Sequence, residues 1–341
     1  MNNNEIFKYL KPNENDMLSN LKSKDLIDFI ILLNKYYLEY RNNLKIKDNI
    51  TLGYEIECEY AKTKKILNKL DKKELFNFEF CYDRSLTNGI EIISPIMYDN
   101  NKSWNDLKEV CNIIKKNAKV GQNTASHIHI GAHILGDDIN NWLNFIKLWA
   151  SYENIIFRFC YGEYLNERNN IKIFAYPIAN TFNYLYNLSK NNSDFDGFFN
   201  NYSKLNLNKY FSVNLLNALD NYKYFNKNNN LHITNTIEFR CPNGTLEPIV
   251  WQNNANLFAK LLIYSKSNNF NHDIIDKRKT TTNINNYKII SLEQSLELVD
   301  LIFTNNLDKI YFLRQYLKSY EESNKVLKKA KTFIKYIDNK I

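Results

Sequence analysis

The sequence predicts an α+β domain built on a largely antiparallel sheet, flanked by helices and with helical N- and C-terminal segments. Two observations carry that prediction. Short runs of apolar–polar alternation dominate from Leu52 to Cys241, and helical patterns fall between them without the regular strand-helix-strand order of a parallel sheet. A substantial core is expected, because the 341 residues are 44% hydrophobic and 14% aromatic.

The N-terminal segment reads as helical. Its stretch 25-DLIDFIILLNKYYLEY-40 is apolar but broken by Asp28, Lys35 and Glu39, which suits a packed helix better than a membrane span. Strands are expected at 53–60, 76–83, 90–96, 127–134 and 235–241. Asn88-Gly89, a dipeptide suited to a tight turn, separates the second from the third. Apolar residues at spacings of three and four mark helices at 104–119 and 138–160. After Trp251 the pattern is helical again, and Ser291 and Gln294 have capping-box spacing ahead of 292–303. The asparagine-rich 226-NKNNN-230 and the stretch 187–204 read as loops. No internal repeat or Pro/Gly/Ser linker divides the chain.

Lys and Arg number 45 against 37 Asp and Glu, a net charge of +8 that suits an anionic partner. The basic clusters at 62–73 and 325–340 lack interleaved stacking aromatics and read as solvated helix faces, so no specific nucleic acid is expected. The five cysteines (Cys58, Cys81, Cys111, Cys160, Cys241) are scattered with no C-x-x-C pair, which argues against a disulfide framework and a structural zinc site. A cytoplasmic location is expected. No apolar run approaches the roughly 18 residues of a bilayer span, and MNNNEIFKYLKPNEND lacks the apolar core of a secretion signal. With eight glycines and no G-x-x-x-x-G-K-[ST], a P-loop is excluded.

Four stretches carry chemistry. In 51-TLGYEIECEY-60, period 2 places Glu55, Glu57 and Glu59 on one face and Tyr54, Ile56, Cys58 and Tyr60 on the other. That face either is a polar strand surface or holds cations, since side chains two apart project about 6.6 Å from one another. In 83-DRSLTNGIE-91, a turn would bring Asp83 and Glu91 into one neighbourhood. In 126-SHIHIGAHI-134, His127, His129 and His133 share a face, and Gly131 leaves room for a ligand or another backbone. In 236-TIEFRC-241, Glu238 and Arg240 share a face, either as an ion pair or as a metal ligand beside a fork for carboxylate or phosphate.

Taken together and in order, Gly53-x-Glu55-x-Glu57, Asp83-x-Ser85 with Glu91, Ser94 and Pro95, His127-x-His129-x-Gly131 and Thr236 to Arg240 resemble the amidoligases, carboxylate-amine ligases of the glutamine synthetase and glutamate-cysteine ligase superfamily. The resemblance runs from about Leu52 to Trp251. It implies a curved sheet of the glutamine synthetase-like catalytic type binding ATP and two or more Mg2+ ions, with Mn2+ as an option. It implies that Glu55, His127 and Glu238 hold one cation, and Glu57, Asp83 and Glu91 the other. His129 is then expected near the transferred phosphoryl group, with Arg240 and Arg168 on phosphate or substrate. Glu59 is left as a solvated strand end, Arg158 as a structural residue, and Tyr210 and Asn214 without a role.

The implied organisation is a catalytic domain at 49–262 between helical segments at 1–48 and 263–341, the latter packed on the core. The expected substrates are a small-molecule or peptide carboxylate and an amine, joined through an acyl phosphate; no membrane is expected, and an oligomer is compatible with the superfamily. Two other readings stand beside this one: a metal-dependent hydrolase using His127 and His129, and a non-catalytic relative that binds a nucleotide or nucleic acid.

Overall fold

The computed structural model describes residues 40–47, 49–75, 77–161, 168–181, 208–219, 235–279 and 291–317. Most of the expected N-terminal helical segment, the loops at 187–204 and 226–230, and the basic cluster at 325–340 lie outside the described residues.

Six strands form one open antiparallel sheet: β1 (Leu52–Cys58), β2 (Glu79–Asp83), β3 (Gly89–Ile93), β4 (Ser126–Gly131), β5 (Val213–Asn214) and β6 (Thr236–Phe239). Their spatial order is β2-β3-β1-β4-β6-β5, every neighbouring pair antiparallel. Nine helices accompany the sheet among the described residues: α1 (Thr63–Lys72), α2 (Asn101–Lys115), α3 (Ile139–Cys160), α4 (Ile171–Phe174), α5 (Leu216–Leu219), α6 (Pro248–Ser265), α7 (His272–Lys279), α8 (Leu292–Ile302) and α9 (Asn306–Leu317). None is long and apolar enough to cross a membrane.

The apolar face of the alternation is the core face. Tyr54, Ile56, Cys58, Ile128, Ile237 and Phe239 are buried there. Tyr54 meets Trp104 of α2 and Trp251 of α6 with ring centroids 6.0 and 5.5 Å apart, and Phe239 stacks on Phe258 of α6 at 4.2 Å. α6 packs in turn on α3, α8 and α9, so helices back the sheet on this face. α1 buries Ile66 and Leu70 and leaves Lys64, Lys65 and Lys72 exposed, the solvated basic face that its sequence suggests.

Three local expectations need correction. β4 ends at Gly131, and the chain then makes a 3-10 turn at Ala132–Ile134. His133 therefore leaves the face of His127 and His129, and its Nε2 lies 2.8 Å from the Asn49 carbonyl. The space over Gly131 is taken by that imidazole, since a Cβ there would sit 2.3 Å from His133 Cε1 and 2.4 Å from Thr51 Oγ1. Second, Ser291 precedes α8 without a side-chain capping bond; its backbone N–H donates to Tyr316 Oη, and Gln294 accepts from Asn154 instead. Third, Glu59 is not solvated: at 6% exposure it accepts from the Thr87 N–H at 3.1 Å and Asn123 Nδ2 at 3.3 Å. The hairpin turn and the 121–124 loop close over the end of β1, and a buried carboxylate needs such donors.

Candidate active site

Strand register gathers the polar residues. β1 against β4 sets Glu55 opposite His127 and Gly53 opposite His129; β4 against β6 sets His129 opposite Glu238; β1 against β3 sets Glu57 opposite Glu91. Gly53 matters here, because a Cβ at that position would approach His129 Cβ to 3.3 Å. The turn at 84–88, with Asn88 at φ 45°, returns the chain so that Asp83 pairs with Gly89 and faces the same side as Glu91.

Glu55 is the centre of the cluster. His127 Nδ1 lies 2.9 Å from one of its oxygens and His129 Nε2 2.9 Å from the other. His127 also comes within 3.7 Å of Glu57 Oε1 and 3.6 Å of Glu238 Oε1. Candidate ligand atoms of Glu55, His129 and Glu238 lie within 4.8 Å of one another, and those of Glu55, Glu91 and His127 do the same. His129 thus groups with Glu55 and Glu238, while His127, itself 3.6 Å from Glu238, groups with Glu55 and Glu91.

A cavity of about 390 Å³ opens over this face. Glu55, Glu57, Asp83, Glu91 and His127 line one wall, and Arg168, Arg240, Asn169, Asn170, Phe174 and Tyr210 line the rest with Ser85 and Asn123. His129 lies on the far side of Glu55, beside a smaller cavity of about 200 Å³ bounded by Gly53, Ser94 and Thr236. Glu55, Glu57, Asp83, Glu91, His127, His129 and Glu238, from separate segments, therefore meet on one sheet face.

A family model described as "Putative amidoligase enzyme" matches residues 22–262, more than two-thirds of the chain. The chain belongs to this amidoligase family. A search of curated proteins found no match. Membership supports an enzyme of the ligase class, and the matched span contains all six strands of the amidoligase sheet.

In this amidoligase, neighbours fix each charged group. Glu238 is held at both oxygens, one by Asn214 Nδ2 at 2.6 Å and the other by Arg240 Nη1. Arg240 Nε donates to the Phe174 carbonyl at 3.2 Å, and Arg168 Nη2 donates to the Arg240 carbonyl at 3.0 Å. Glu57 accepts from the Ala125 N–H at 2.6 Å, and Asp83 from the Ser85 N–H at 2.7 Å. Arg158 is remote from the site: it is buried, 5.3 Å from the Tyr316 ring centroid, a packing role.

The electrostatics follow from crowding. Burial alone would raise the Glu55 carboxyl, but hydrogen bonds from His127 and His129 outweigh it and hold the group well below the carboxylate range. Burial first, then the charge of Glu55, pushes Glu91 up to about 7. His129 is raised because its bond to Glu55 overcomes burial, and burial brings Arg168 down to about 10.

Sequence reasoning missed the cavity's asparagines and the buried acid behind it. Asn123, Asn169 and Asn170 are indistinguishable from the many loop asparagines of this chain. Glu153 sits in the apolar pattern of α3, where its carboxylate accepts from Trp149 Nε1, Ser212 Oγ and the N–H groups of Ile178 and Ala179. Ser212 in turn offers its carbonyl to the Arg240 N–H at 2.9 Å, so Glu153 supports the Arg240 wall. An acid within a helical apolar run was its one sequence signal.

Proposed function

We propose that the protein is an ATP-dependent carboxylate-amine ligase of the glutamine synthetase-like type, working through an acyl phosphate with two or more divalent cations. The observation that carries the reading is the single cavity in which Glu55, Glu57, Asp83, Glu91 and His127 face Arg168 and Arg240. The donor set fits magnesium or manganese: carboxylate oxygens dominate, each compact group has one imidazole, and neither contains a thiolate. The raised Glu91 carboxyl accords with that reading, because burial and then the Glu55 charge hold on it a proton that a cation would displace.

Glu55, His129 and Glu238 would hold one cation, with His127 bridging towards Glu57, Asp83 and Glu91 for the other. Such cations, when bound, offset the charge of nucleotide phosphates and of a phosphoryl group in transfer. The chain's own part is orientation. His127 and His129 fix both oxygens of Glu55, and Asn214 and Arg240 fix both oxygens of Glu238. The guanidinium groups of Arg240 and Arg168 give the opposite wall a positive face for phosphate or substrate carboxylate. A substrate carboxylate phosphorylated there gains a leaving group that an amine can displace, with phosphate as product.

The boundaries 49–262 for a catalytic domain with helical segments at 1–48 and 263–341, and a cytoplasmic location, belong to the same reading. The test measures ADP and phosphate release with magnesium over a panel of carboxylate and amine pairs. Release that requires both partners is expected. A folded protein that turns over with no pair, purifies with zinc and keeps its melting temperature in ATP would overturn the proposal in favour of a hydrolase.

A further inference from the structure

β2 is the outermost strand of the sheet, and among the described residues no strand pairs with its outer side. Four of its five residues are exposed, and Asp83 is half-buried. Such an edge presents unpaired N–H and C=O groups, which folded proteins commonly blunt with lysine, proline or a bulge. β2, with the sequence EFCYD, has neither residue, and it pairs with β3 in unbroken register from Glu79 opposite Ile93 to Asp83 opposite Gly89.

Its two faces differ. Phe80 and Tyr82 form an edge-to-face pair with centroids 6.0 Å apart, yet they remain 38% and 74% exposed. Cys81 and Asp83 face the acid side: Cys81 Sγ lies 3.3 Å from Glu91 Oε2, and Asp83 lines the cavity. The edge is thus continuous with the mouth of the site.

Charge selects the partner. A second copy pairing antiparallel about Cys81 would set Glu79 opposite Asp83 twice, and like charges directly opposite one another destabilise a strand pair. A strand with lysine or arginine at alternate positions would meet Glu79 and Asp83, while its other side chains cover Phe80 and Tyr82. The geometry points to β2 as the docking edge for an extended basic peptide, added to the sheet as a seventh strand. Only the use of that peptide, as the lysine-bearing amine substrate, rests on the ligase reading; the docking needs no nucleotide.

The test is fluorescence anisotropy without ATP, using a labelled octapeptide of alternating lysine and valine and its glutamate-valine counterpart. The basic peptide is expected to bind about tenfold tighter or more, a difference of about 1.4 kcal/mol. Glu79→Lys and Tyr82→Lys should each weaken it. N-methylation of one alternate set of peptide amides should abolish binding, while methylation of the other set leaves it, because only one set can face β2. Equal binding of both methylated forms, indifference to both substitutions, or no binding overturns the proposal. Peptide binding without ADP release under any substrate pair would sink the ligase reading alone, whereas release with non-peptide pairs and no peptide binding would sink the docking alone.

Discussion

Cation binding at the acid wall should expel protons, because two of its groups hold theirs more tightly than usual. Burial and the Glu55 charge push Glu91 up to about 7, and the bond to Glu55 raises His129. Both must be deprotonated to act as ligands. With a carboxyl at about 7, roughly one-tenth of Glu91 is ionised at about pH 6 and roughly nine-tenths at about pH 8. The apparent affinity for magnesium or manganese should therefore fall about tenfold between those two values through Glu91 alone, with His129 adding in the same direction.

Titration calorimetry in buffers of different ionisation enthalpy reads both the affinity and the protons released. Glu91→Gln should bind more weakly at the higher pH and retain only the His129 part of the slope. Stability without metal runs the opposite way with pH. The folded-state carboxyl of Glu91 lies above its ordinary value of 4.5, so its contribution is full below 4.5 and lost as pH rises through about 7. The metal-free protein should lose melting temperature over that window relative to Glu91→Gln, and magnesium at about pH 8 should restore it. Affinity that stays flat with no proton release refutes the argument.

Glu55 takes part in both compact ligand groups, so Glu55→Gln should weaken divalent cation binding by about 100-fold, at least as much as losing an outer partner of a metal site, as calorimetry would read. Glu59→Ala leaves the Thr87 N–H and Asn123 Nδ2 without their acceptor and should cost about 1–3 kcal/mol in urea unfolding, with Glu59→Gln milder because an acceptor oxygen remains.

The sheet and the grouping of most of its polar residues were legible because alternation is a direct record of burial. Tyr54, Ile56 and Cys58 could be assigned to the core from their spacing, and Glu55 and Glu57 to the opposite face, without knowing any partner strand. What alternation does not record is where a strand stops. His133 kept period with His129, but the 3-10 turn after Gly131 removed it from the face and set it against the carbonyl of Asn49, distant in sequence. Glu59 kept period too, and it is buried by a turn and a loop whose closure no local pattern announces. The cavity's asparagines were illegible for a different reason: they act by position, in a chain where asparagine is too common to be a signal.

The same alternation explains why the acids cannot escape one another. Slipping β1 by one residue against β3 and β4 would expose Tyr54 and Ile56 and drive Glu55 and Glu57 under Trp104 and Trp251. Burying even one unpaired carboxylate among those rings costs far more than the repulsion on the open face. The apolar side of the sheet therefore fixes the register, and the register forces Glu55, Glu57 and Glu91 together, with two imidazoles and the guanidinium groups of Arg168 and Arg240 for relief. Glu91, partly buried and beside the Glu55 charge, is pushed up to about 7. A fold that stabilises itself through one face has in this way concentrated negative charge on the other, where a cation gains most by binding.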